Sequence, residues 1–91
     1  MSDQFQKYEQ LVNEEDRLIN KIEIYQEAIS AILMLVTKQG ASDLHILTIE
    51  DVVSMLHSAE VFCHTELLHL RLAKSILSNT LTQSQNPKTA R

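Results

Sequence analysis

The sequence of 91 residues contains one glycine, one proline and no tryptophan. Strand-rich small domains need many turns, and turns draw on Gly, Pro, Asn and Asp. The scarcity of helix breakers therefore favours a few long helices and an all-α fold. A chain of this length forms one domain at most and buries only about 60–65% of its unfolded surface, so we expect it to need a partner or a second copy.

The single cysteine, Cys63, excludes a disulfide bond within one chain. A lone thiol suits a reducing compartment such as the cytosol. The N-terminal residues 1–10 show no basic region followed by an apolar stretch, so we expect no secretory signal there. The apolar run 28–36 is about half as long as a membrane-spanning helix must be. We therefore expect a soluble, cytoplasmic protein without a membrane segment.

Negative charge dominates the sequence, which has 12 acidic and 8 basic residues and a net charge of −4. Residues 1–27 hold seven acidic and three basic residues, and residues 39–70 hold five acidic residues without Lys or Arg. Residues 71–91 hold four basic residues and no acidic residue. A nucleic-acid-binding protein presents a basic stripe on its folded face. This distribution argues against a nucleic-acid partner.

Apolar residues recur at helical spacing through the first part of the chain. Eight of nine heptad positions there are apolar or aromatic, Glu15 being the exception: Tyr8, Glu15, Ile22, Ile29 and Val36 at a, and Leu11, Leu18, Tyr25 and Ile32 at d. This seam predicts one long coiled-coil or bundle helix over about residues 3–38. Gly40 is the predicted stop, because glycine accepts a positive φ just past a helix end.

A second helical region is predicted over about residues 48–78, with Thr48 as its N-cap. The stretch 49–77 contains no Gly or Pro. A break near residues 58–65, with Thr65 as a second cap, is the alternative to one continuous helix, which we favour. Residues 1–78 then form a single helical domain, and 79–91 are expected to be a flexible tail because they lack apolar periodicity.

Two helices joined by a short connection predict an antiparallel helical hairpin. Such a hairpin covers one side of each helix, yet the run 28–36 has a single polar side chain, Ser30. Either a second copy completes a dimeric bundle or a different protein covers this surface. The residues expected to contact the partner or the second copy are Leu18, Ile22, Tyr25, Ile29, Ile32, Leu33, Val36, Val53, Leu56, Leu67 and Leu70.

No pattern for catalysis or for a cofactor is found. One glycine cannot form a phosphate-binding loop, and one cysteine cannot supply a zinc pair. His57, Glu60 and His64 share one side of a helix and are the residue types that bind transition metals, but a solvated polar face is the simpler interpretation. Cys63 is expected to be a buried, small apolar residue. We therefore predict a non-enzymatic protein without a metal or cofactor.

Four segments of the sequence resemble a known family. They are Ile22-Glu23, residues 29–33 (ISAIL), residues 49–52 (IEDV) and residues 65–68 (TELL), within a match over about residues 14–78. The order of segments is similar to that of the enterobacterial anti-adaptors of the IraP type, which stabilise the stress sigma factor sigma-S. The resemblance implies binding to a response-regulator adaptor of the RssB type, which then cannot deliver sigma-S to the ClpXP protease.

Two other regulators of similar size remain open as alternatives. A weaker resemblance links Ala59-Glu60 and Arg71-Leu72 to the YmgB/AriR-type biofilm and acid-resistance regulators, which implies a stress regulator that acts as a dimer. A helical hairpin of a secretion-type chaperone is the third interpretation. All three act through protein contacts.

Overall fold

The computed structural model describes residues 2–40 and 45–85 and contains two helices. Helix α1 spans Ser2–Gln39 and helix α2 spans Ile46–Gln85. The helices pack along each other as an antiparallel hairpin, as contacts between Glu15 and Arg71 and between Gln26 and Glu60 demonstrate. The predicted all-α hairpin is therefore confirmed.

Helix α2 is continuous through residues 58–65, so the favoured prediction of one helix is confirmed. Thr65 does not begin a second helix. Its hydroxyl donates to the carbonyl oxygen of Val61 at 3.2 Å, one turn earlier in the same helix. The helix was free to continue because neither Gly nor Pro interrupts this stretch.

The C-terminal boundary of α2 corrects the prediction of a tail from residue 79. The helix extends to Gln85, beyond the expected end at residue 78, and the remaining residues, 86–91, lie outside the described part of the chain. Leu81 is partly buried, and the Thr80 hydroxyl donates to the Ile76 carbonyl at 3.0 Å. Polar residues weaken helix propensity only slightly, whereas the next helix breaker, Pro87, comes later in the sequence.

Gly40 ends α1 as predicted. Its φ is +78°, and its N–H donates to the carbonyl oxygen of Val36 at 2.8 Å. This single hydrogen bond, from the first residue past the helix back to the last turn, is the αL capping motif. A left-handed residue at this position is inexpensive only for glycine.

The start of α2 corrects the predicted N-cap. The helix begins at Ile46, and His45 precedes it as the N-cap instead of Thr48. The backbone N–H of Thr48 donates to Nδ1 of His45 at 3.2 Å, and the Thr48 hydroxyl also contacts this nitrogen at 2.6 Å. An imidazole nitrogen thus satisfies one of the free N–H groups of the first turn.

The buried core is small and lies midway along the hairpin. Leu18 and Ile22 of α1 pack with Cys63 and Leu67 of α2, and the side chains of Ile19, Tyr25 and Leu70 surround them. The molecule measures 69 × 22 × 16 Å, with a radius of gyration of 20.4 Å, compared with about 12 Å for a compact domain of this length. A hairpin of this shape is a single layer of helices, and both of its broad sides are open to solvent.

Candidate protein-interaction surfaces

The predicted contact residues occupy three environments. Leu18, Ile22 and Leu67 are buried in the core of the hairpin itself. Leu33 is exposed, with 56% of its surface accessible. The others are partly buried: Tyr25, Ile29, Ile32, Val36, Val53, Leu56 and Leu70. The heptad seam therefore packs within one chain, and contact of these residues with a second chain stays a prediction.

The apolar run 28–36 is covered on one side only. Ile29, Ile32 and Val36 are partly buried, on the side of α1 that carries the core. Leu33, Met34 and Leu35 remain exposed, at 56%, 64% and 42%. One neighbouring helix covers one stripe of another, so these three side chains are accessible to a further protein.

Polar contacts between the helices lie along one edge of the seam, which we call the polar side. Glu15 accepts hydrogen bonds from Arg71 Nε at 2.8 Å and from Lys74 Nζ at 2.5 Å. Farther along, Gln26 Nε2 donates to Glu60 Oε2 at 2.9 Å. The pairs 15 with 71 and 26 with 60 have the same sum of residue numbers, so residues whose numbers sum to about 86 lie at the same level of the hairpin.

These contacts shift the ionisation of the groups that make them. The hydrogen bond from Lys74, followed by that from Arg71, lowers the pKa of Glu15, and Glu15 in turn raises the pKa of Lys74. The hydrogen bond from Gln26, together with His64, lowers the pKa of Glu60. Each contact favours the charged form, so Glu15, Glu60 and Lys74 are charged near neutral pH.

The opposite edge of the seam carries Arg17 on α1 and Glu66 on α2, whose charges interact. On α1, Ile24 lies seven residues after Arg17 and Ala31 lies fourteen residues after Arg17, so both are on the same side of the helix as Arg17. Leu35 lies one turn after Ala31. Phe62 precedes Glu66 by four residues, and Met55 lies seven residues before it. We call the five residues Ile24, Ala31, Leu35, Met55 and Phe62 the side patch.

The residues of the side patch lie at matching levels of the two helices, and its large side chains are open to solvent. Ile24 lies at the level of Phe62, and Ala31 at the level of Met55, because each pair sums to 86. The large side chains are exposed at 63% for Ile24, 42% for Leu35, 65% for Met55 and 62% for Phe62. Arg17 and Glu66, both exposed, border the patch toward the middle of the hairpin.

The heptad seam did not reveal Ile24, Met55 and Phe62, because it follows one stripe of each helix. A second periodic signal was present in the sequence. Ile24, Ala31 and Leu35 stand at i, i+7 and i+11, and Met55 and Phe62 at i and i+7. The stripe on α1 and the stripe on α2 lie on the same side of the hairpin only because of the way the two helices pair, which the sequence does not display.

The His57, Glu60 and His64 group does not form a metal site in the described part of the chain, where no group of three metal-ligand side chains converges. His64 Nε2 lies 3.4 Å from Glu60 Oε2, but that oxygen also accepts the hydrogen bond from Gln26. Cys63 is buried in the core, as expected for a small apolar residue. The three polar residues thus belong to the polar side of the hairpin.

Neither helix contains a stretch within the described residues that is long and apolar enough to cross a bilayer. Comparison of the chain with models of protein families, with curated proteins and with solved structures finds no match.

Proposed function

We propose that this chain is a small, non-enzymatic regulatory protein that binds another protein through the side patch. The observation that carries the proposal is the exposure of Ile24, Leu35, Met55 and Phe62 together on one side of the hairpin. Monomeric soluble proteins rarely expose contiguous apolar patches beyond a few hundred Å². Patches rimmed by polar residues, like this one, are typical of protein-binding sites.

The composition of the patch supports a protein partner over other ligands. Aromatic residues and methionine are enriched at the centres of protein interfaces, and the patch contains Phe62 and Met55. Methionine also adapts its shape to irregular partner surfaces. The rim carries charges of both signs, Arg17 and Glu66, which can orient a polar partner without attracting a polyanion.

The resemblance to the IraP-type anti-adaptors supplies the specific form of the proposal. The partner is then a response-regulator adaptor of the RssB type in the cytoplasm, and occupation of that adaptor protects sigma-S from ClpXP. The matching segments include residues 29–33, which contain Ala31 of the side patch. The proposed mechanism is steric competition for the adaptor, so it needs neither a catalytic group nor a cofactor.

The test is a binding measurement with the purified adaptor by chromatography with light scattering. We expect a mixed complex with the unmodified chain and at least about tenfold weaker binding with Ile24→Glu or Met55→Glu, because an unpaired carboxylate would be buried. Met34→Glu is the matched control. Met34 is exposed to a similar degree, at 64%, but follows Glu27 by one heptad, so it lies on the side of α1 that faces away from α2.

A second experiment follows sigma-S turnover in cells that overproduce the chain. Slower turnover that is lost with Ile24→Glu and kept with Met34→Glu supports the proposal. Unchanged turnover without a mixed complex would contradict the anti-adaptor function and favour a YmgB/AriR-like stress regulator or a secretion-type chaperone. Binding that withstands both patch substitutions would place the interface elsewhere.

A further inference from the structure

The side of α2 that faces away from α1 lacks formal charge over most of the helix. No Asp, Glu, Lys or Arg stands at the centre of this side between positions 54 and 79. All of these residues are exposed in the single chain, and their spacing alternates between three and four. They form what we call the outer face of α2: Ser54, Ser58, Val61, Thr65, Leu68, Leu72, Ser75 and Asn79.

The side of α1 that faces away from α2 is a polar, solvent-exposed surface. It carries the exposed polar residues Glu9, Asp16, Asn20, Glu27 and Lys38. By contrast, the outer face of α2 exposes Val61 at 47%, Leu68 at 67% and Leu72 at 60%. Exposed apolar side chains within a surface that lacks charge are typical of protein–protein contacts. The outer sides of the two helices therefore differ in chemical character.

We propose that a second copy of this chain packs against the outer face of α2, antiparallel and about a two-fold axis. The two α2 helices then lie at the centre of the dimer, and the charged outer sides of the α1 helices remain in water. In such an isologous interface the same surface meets itself, and a surface without charge does so without desolvating any ion.

The polar atom at the middle of this face is already satisfied within the helix. The Thr65 hydroxyl donates to the Val61 carbonyl, so burial of Thr65 leaves its donor paired and its methyl group directed to the surroundings. Close approach is favoured by the short side chains of Ser54, Ser58 and Thr65. These residues alternate with the larger Val61 and Leu68, which can insert between them.

The available area is sufficient for a stable dimer. Residues 54–79 extend over roughly 39 Å of helix, and half the circumference of a helix is roughly 17 Å. The product is roughly 650 Å² per copy, or about 1,300 Å² for the pair, which falls within the range of specific interfaces.

The charges at the two ends of α2 favour the antiparallel orientation. Glu50 and Asp51 lie in its first turns, whereas Arg71 and Lys74 lie in its second half. A parallel pair would place each acidic residue beside its own copy. The antiparallel pair instead separates Glu50 and Asp51 of one helix from their counterparts in the other, which avoids this repulsion.

The experiment is the absolute mass in solution by light scattering. We expect twice the 10.4 kDa of one chain, and we expect Leu68→Glu to restore the mass of a single chain while circular dichroism retains its helical signal. Met34→Glu is the matched control, because Met34 is as exposed as Leu68 but lies on α1. Ile24→Glu should also leave the mass doubled, so the outcome is independent of the partner proposed above.

Crosslinking provides a test that does not require a charged substitution. In a Cys63→Ala background, Thr65→Cys should give a linked dimer with a short bis-maleimide, and Glu27→Cys on the outer side of α1 should not. A single-chain mass for the unmodified protein at micromolar concentration would overturn the proposal. So would a dimer that withstands Leu68→Glu and links through residue 27.

Discussion

Lys74 Nζ on α2 lies 2.5 Å from Oε1 of Glu15 on α1, although 59 residues separate them in the sequence. The other carboxylate oxygen of Glu15 accepts from Arg71 at 2.8 Å. Glu15 occupies the only heptad a position that is not apolar, where it interrupts the seam. At this position the seam therefore contains a charged side chain that is paired with α2. Sliding one helix along the other would separate Glu15 from Lys74 and Arg71. We infer that this contact fixes the register of the hairpin.

Substitution of Glu15 by Gln should destabilise the hairpin and weaken the dependence of its stability on acid. The hydrogen bonds from Lys74 and Arg71 lower the pKa of Glu15 in the folded chain. Its contribution is therefore fully present above the unfolded pKa, roughly 4.3, and is lost as the pH falls through the lowered folded value. Thermal unfolding at pH 7 and at pH 3 measures the effect.

We expect Glu15→Gln to lower the melting temperature more at pH 7 than at pH 3. The control is Glu9→Gln, because Glu9 is an exposed glutamate on the outer side of α1 and its loss removes the same formal charge. Equal effects of the two substitutions at neutral pH would mean that net charge, and not the contact with α2, controls this stability.

Substitution of Gly40 by Ala should cost about 1–2 kcal/mol of the free energy of unfolding. Gly40 adopts a φ of +78°, which an L-residue with a Cβ reaches only with strain. No atom lies within 4 Å of the position that a Cβ would occupy, so the cost comes from the backbone alone. Gly40→Asn should cost less, because asparagine tolerates this conformation. Urea unfolding compares the three proteins, and equal stabilities would contradict the role of Gly40.

Much of the hairpin follows from local patterns in the sequence. The heptad seam from Tyr8 to Val36 predicts α1, since a periodic stripe needs only one partner surface to be stable. Gly40 predicts its end because a backbone conformation depends on that residue alone. Such features depend on interactions within a few residues, which a sequence displays directly.

Other features depend on which surfaces meet. The N-cap was expected at Thr48, but an imidazole at residue 45 performs this role. Leu18 and Leu67 were expected to contact a partner or a second chain. They are buried in one core within the hairpin, and their contact with another chain stays a prediction. The same pattern describes packing inside a hairpin and packing between chains, so only the pairing of the helices separates the two cases.

Substitution of His45 by Ala should lower stability by about 1 kcal/mol, because the N–H of Thr48 loses its acceptor at the start of α2. His45→Asp restores an acceptor, and a carboxylate is favoured at the positive N-terminal end of a helix. We therefore expect His45→Asp to equal or exceed the unmodified chain in urea unfolding at neutral pH. If the Ala and Asp variants unfold at the same urea concentration, the cap does not contribute.

Truncation of Leu18 to Ala should lower the free energy of unfolding by about 2–5 kcal/mol. The Leu18 side chain is only 2% exposed, and the few other core residues cannot rearrange to fill the cavity that the truncation leaves. Leu33→Ala removes the same atoms from a side chain that is 56% exposed, and it should change stability by less than about 0.5 kcal/mol. Denaturant unfolding at several protein concentrations measures both. If the two substitutions instead have equal effects, the side chain of Leu18 is not buried between α1 and α2. A doubled mass that persists in folded Leu18→Ala would further separate the packing inside one chain from the interface between two copies.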